Sequence, residues 1–126
     1  MHKKHLAAIL AATIWISICE FVRNQVLLIN MWENHYQKMG LVFPKAPVNG
    51  AVWGIWSLLF AVFLFIISKK QTLWETVFLG WISGFFFMWL VIGNLGVLPF
   101  NILPVAIPFS FAEVFVATLI IKRVVK

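Results

Sequence analysis

Long apolar runs separated by short polar knots set the rhythm of this chain. The first run goes from Leu6 to about Ile29, the second from Ala51 to Ser68, the third from Thr72 to Leu98 and the fourth from about Leu103 to Ile121. A helix crossing a hydrocarbon core about 30 Å thick needs roughly 17 to 25 such residues. The pattern therefore predicts an all-α integral membrane protein, a four-helix bundle with spans near 6–29, 51–68, 72–98 and 103–121 in a single transmembrane domain over 1–126. The longest polar interval, 30–50, reads as an outer loop, in which Pro44 and Pro47 favour extended backbone and "MGLVF" is apolar enough to lie at the interface. The second outer connection is tight. Asn101 is placed to cap the fourth helix, Pro104 suits its first turn, and Pro108 is expected to bend it.

Polar residues inside the runs fall on faces. At 100° per residue, Thr13, Ser17, Glu20 and Asn24 share an arc of about 60° on the first helix, with Arg23 about 60° to one side of Glu20 and Trp15 opposite. Gly50, Gly54, Ser57, Ala61 and Ser68 form a stripe on the second helix, and Thr76, Gly80, Ser83, Gly84 and Asn94 one on the third. Ala106, Ser110, Glu113 and Ala117 share a face of the fourth. Small residues allow close helix approach in lipid, and polar residues there face the bundle interior. The stripes are thus expected to meet around a small acidic centre, with Trp74, Phe78, Phe85 and Trp89 facing the other way. By depth, Glu113 lies near the midplane, Glu20 slightly towards the outer side and Arg23 one turn beyond it. Ser57, Ser83 and Ser110 fall in the same middle layer.

A charged carboxylate at that depth costs several kcal/mol unless it is paired or protonated. Arg23, at i+3, is well placed for Glu20, and an arginine keeps its charge. Glu113 either shares Arg23 or carries a proton. The candidate ligand-binding or proton-coupling residues are therefore Glu20, Glu113, Arg23, Asn24, Ser17 and Ser110. The competing reading is a purely structural ion network that fixes helix order. Glu75, near Lys69, Lys70 and Arg123, reads as an interfacial salt bridge, while Asn24 and Asn94 either bond each other or line an access path. Trp32, Trp53 and Trp74 suit an interfacial aromatic belt, and Trp15 and Trp89 suit lipid-facing positions.

Charge adds orientation. With the N-terminus inside, Lys3, Lys4, Lys69, Lys70, Lys122, Arg123 and Lys126 lie on the inner side against only Lys38 and Lys45 outside. This places both termini in the cytoplasm, with the protein in the inner or plasma membrane. The net charge of +6 arises from groups at span ends, so no nucleic-acid partner is expected. Cys19 is the single cysteine, and Ile18 before it is too large for lipoprotein cleavage, so it reads as an ordinary helix residue. All three histidines, His2, His5 and His35, lie outside the centres of the spans, and aspartate is absent. No cofactor and no metal site are expected. Enzymatic chemistry is disfavoured, an acid–base reaction on lipid at Glu20 and Glu113 being the one route left open.

Chain size, helix count and a glutamate in the first helix, Glu20 in "ICEFV", resemble the small multidrug exporters. Arg23, the second acid Glu113, the long outer loop and the charge bias depart from their pattern. The leading expectation is a small transporter or channel-like protein that binds or moves a cation or small amphipathic molecule. Proton coupling would run through the glutamates, and the protein would act as a homo-oligomer or beside a membrane-protein partner. Two alternatives stand: an accessory subunit of a larger membrane complex, and a lipid- or sterol-binding protein with Gly40 to Pro47 as a lid.

Overall fold

Proline, threonine and glycine punctuate the apolar runs into helices. The structure, a computed structural model, describes residues 2–126. Helix α1 spans His2–Leu27, α2 Ile29–Lys38, α3 Pro47–Ser68 and α4 Leu73–Asn94; α5, Leu103–Val125, follows a 3-10 turn at Phe100–Ile102. All but α2 are long and apolar enough to cross a membrane, and no strand occurs among the described residues. Pro47 opens α3, with the Asn49 side chain accepting the Ala46 N–H at 3.0 Å. Thr72 opens α4 by a reciprocal cap: its hydroxyl accepts the Glu75 N–H at 3.2 Å, and Glu75 accepts the Thr72 N–H at 3.0 Å. Glu75 thus caps its own helix rather than forming the interfacial salt bridge predicted for it. Gly40 and Gly96, with φ of 73° and 80°, end α2 and α4 in the left-handed region that glycine favours.

The interval predicted as an outer loop contains α2, whose last turn connects through His35 to the Gly96 carbonyl, 2.7 Å away. At the opposite end of the bundle, Lys122 donates to the carbonyls of Ser68 and Gln71 at 3.1 and 2.9 Å, closing the C-terminus of α3. Asn101 does not cap the last helix: it lies exposed in the 3-10 turn, and Ile102 precedes the helix with no side-chain cap. Pro104 does sit in the first turn of α5.

Among the four long helices α1 packs against α3 and α5, α4 against α5 and α3, and α3 also touches α5. Small residues set the approach: Ala8, Ala12, Ala61, Ala106 and Ala117 are fully buried, Gly80 lies directly under the Leu64 side chain, and Gly84 lies under the Phe60 ring. Two wide turns interrupt the α-helical pattern. At Arg23–Leu27 the Leu28 N–H reaches the Arg23 carbonyl at 3.0 Å, and at Ile82–Phe86 the Phe87 N–H reaches the Ile82 carbonyl. Each is a π turn, which holds one residue more than the α pattern and rotates the following face by about 100°.

That rotation overturns half of the predicted α4 stripe. Thr76 and Gly80, before the π turn, are buried as expected, but Ser83 and Asn94 are exposed. Phe85 and Trp89 turn inward in their place. Trp15, expected to face lipid, is half-buried and donates its indole N–H to the Glu113 carbonyl at 3.0 Å.

Candidate functional site

The last α-helical turn of α1, which ends on Val22, carries Glu20, and the π turn begins on Arg23. The side chains stand at i and i+3, and Arg23 Nη2 donates to Glu20 Oε2 at 2.6 Å. From α5, Glu113 meets the other arm: Arg23 Nη1 donates to Glu113 Oε1 at 2.9 Å. All three residues are 3% exposed or less, so this is a desolvated cluster and not a surface pair. The Phe85 ring lies 5.0 Å from the guanidinium carbon and Phe109 at 6.0 Å, packing aromatic faces against the cation. The three charged residues thus form one cluster, which the sequence left open, because the helices that carry them are neighbours.

Two carboxylates share one guanidinium, which leaves one uncompensated negative charge when all three are ionised. Glu20 Oε1 and Glu113 Oε2 are buried and accept no hydrogen bond from the described residues. A buried charged acceptor without a donor is costly, and such a group calls for a proton, a cation or a ligand N–H.

The remaining predicted residues divide. Asn24 donates to the Glu20 carbonyl at 3.2 Å and accepts the Trp32 indole N–H at 3.1 Å, tying α2 to the cluster rather than reaching Asn94. Ser17 lines the cleft beside Glu20. Ser110 stands apart, accepting the Trp81 indole N–H at 2.9 Å and donating to the Ile107 carbonyl at 3.1 Å. Cys19 is buried next to Glu20.

Two clefts adjoin the cluster towards the α2 end. The first, about 360 Å³, has Glu20 in its wall together with Ser17, Asn49 and Ser57, and includes Gly50 and Gly54 from the predicted α3 stripe. The second, about 380 Å³, has Arg23 in its wall and is otherwise largely aromatic, with Trp32, Tyr36, Phe43, Trp53 and Trp89. Asn24, Gln25, Pro44, Asn49 and Trp53 line both. Trp32 stacks on Phe43 with centroids 5.5 Å apart, and Tyr36 meets the Phe43 edge at 5.1 Å, so the loop after α2 is folded back over the clefts. Lys45, on that loop, is ion-paired with Glu33 of α2.

Gln25, Asn49, Phe43 and Trp89 escaped the sequence reading. Asn49 carried a signal, since "PVNG" starts a helix with a polar residue in its first turn. Trp89 carried none, because its inward position follows from the π turn. Among the described residues, no three His, Cys, Asp or Glu side chains come together as metal ligands would. Comparison with known protein families, curated proteins and solved structures gives no match.

Proposed function

We propose that this protein is a small membrane transporter that binds a cation or small amphipathic molecule beside Glu20 and exchanges it against a proton held by the Glu20–Glu113 pair. The carrying observation is the unequal ion cluster: two buried carboxylates, one guanidinium, and two carboxylate oxygens without donors. One further positive charge neutralises the cluster, and a cleft opens beside Glu20. Arg23 keeps its charge and so acts as the fixed counter-ion. Glu113 lines neither cleft and is suited to hold the proton, while Glu20 is suited to meet the ligand. Charge placement supports the inner or plasma membrane with both termini cytoplasmic, and so small a bundle fits action as an oligomer.

One observation favours a different reading. Arg23 donates to both glutamates with good geometry, as a clamp fixing helix register in an accessory subunit would. Infrared difference spectroscopy between about pH 5 and pH 9 separates the two. The transporter reading expects a protonated-carboxyl band that titrates in the parent and is lost in Glu113→Gln. If both carboxylates stay ionised throughout, the clamp is correct. Proteoliposomes with an internal pH dye then show whether exchange crosses the bilayer.

A further inference from the structure

The ion cluster presents a different end to each cleft. Glu20 lines the first and carries a buried Oε1 without a donor; Arg23 lines the second, beside aromatic rings. The clefts are neighbours, with Asn24, Gln25, Asn49 and Trp53 lining both. We propose that they form one two-lobed site for a primary or secondary ammonium bearing an aromatic ring, the N–H groups on Glu20 Oε1 and the ring among Trp32, Tyr36, Phe43, Trp53 and Trp89. This rests on the reading of Glu20 as the ligand-facing carboxylate and names the ligand class.

Each half of the ligand answers a separate feature. The wall of the first cleft holds a carboxylate with a buried oxygen that lacks a donor, with Ser17, Asn49 and Ser57 as polar neighbours. An ammonium with N–H donors satisfies that oxygen. A trimethylammonium of the same charge leaves it bare, and sites built for an N–H reject analogues that lack one. The second cleft offers flat walls and the Arg23 guanidinium, already set over the Phe85 face at 5.0 Å. An aromatic ring gains stacking and a cation–π contact there, whereas an alkyl chain gains burial alone.

Charge sorts the orientation. Arg23 repels the ammonium from the aromatic lobe, and Glu20 draws it into the polar one. Lys45 also lines the polar lobe, but its charge is answered by Glu33. The volumes of about 360 and 380 Å³ lie in the range of small-molecule sites, roughly 300–1,000 Å³.

Isothermal titration calorimetry of the full chain in detergent tests this with four probes. They are phenethylamine, its N,N,N-trimethyl derivative, 2-phenylethanol and hexylamine. Phenethylamine is expected to bind at least about tenfold more tightly than each of the others, and Glu20→Gln to remove that preference. Equal or tighter binding of the trimethyl compound, the alcohol or hexylamine overturns the proposal, as does absence of phenethylamine binding. The series on the parent protein decides the matter if Glu20→Gln does not fold. A titrating carboxyl without phenethylamine binding refutes this ligand class alone. Selective phenethylamine binding without a titrating carboxyl refutes the proton coupling alone.

Discussion

Arg23 donates through separate nitrogens to Glu20 and Glu113, so losing the cation and losing an anion change the buried charge in opposite directions. Arg23→Gln leaves two carboxylates facing each other in a desolvated core, and breaking such a network from one side costs about 3–5 kcal/mol. Glu113→Gln leaves a balanced Glu20–Arg23 pair. Thermal unfolding in detergent at neutral pH is therefore expected to show a large loss for Arg23→Gln and unchanged or raised stability for Glu113→Gln. A loss for Glu113→Gln as large as that for Arg23→Gln would mean that the second carboxylate is fully compensated in the fold, and the exchange reading would lose its basis. The Glu20–Arg23 pairing and the matching depth of Glu113 were legible from spacing, since both are properties of regular helices, but the adjacency of α1 and α5 that joins Glu113 to the pair was not. The unpartnered oxygens were not legible, because which lone pair remains free depends on the aim of a single guanidinium.

At the level of elements, the helices followed from the apolar runs, but the face of α4 did not. An unbroken 100° step places Ser83 and Asn94 inside; the π turn at Ile82–Phe86 substitutes Phe85 and Trp89. Nothing in "ISGFF" marks that turn by composition, and its setting is tertiary. A Cβ on Gly84 would stand 2.6 Å from the Phe60 ring, which is stacked on Trp56 at 5.0 Å and meets Phe85 edge-on at 5.8 Å. Yielding would cost the ring these two aromatic contacts. Gly84→Ala is expected to destabilise the protein by about 1–3 kcal/mol, the usual range for overpacking. Gly54→Ala, with no atom within 4 Å of the added carbon, is expected to be neutral or mildly stabilising in the same thermal melts. Equal effects at the two sites would show that the approach of α3 to α4 is looser than described. The α2 helix was hidden for a different reason: its polar composition, "INMWENHYQK", resembles a loop, and it is held by Trp32, His35 and Glu33 through contacts made only in the fold.

For the whole molecule, the alternating direction of the long helices places Lys38 and Lys70 at opposite ends. With lysine and arginine concentrated at the Lys70 end, Lys38→Cys is expected to react with a membrane-impermeant maleimide on intact cells. Lys70→Cys should react only after lysis, and buried Cys19 should stay silent in both. Labelling of both positions from outside would refute the topology. The ion cluster also bears on how such a bundle comes into being. Glu20 and Arg23 enter the bilayer together on one helix, already matched. Glu113 arrives 90 residues after Arg23, on α5, and a charged side chain at a helix centre raises the cost of insertion by roughly 2.5–3.5 kcal/mol. Helix α1 thus stays in the membrane with an arm of its guanidinium still open, and α5 finds its counter-charge already waiting: the packing of α5 and the pairing of Glu113 are one event.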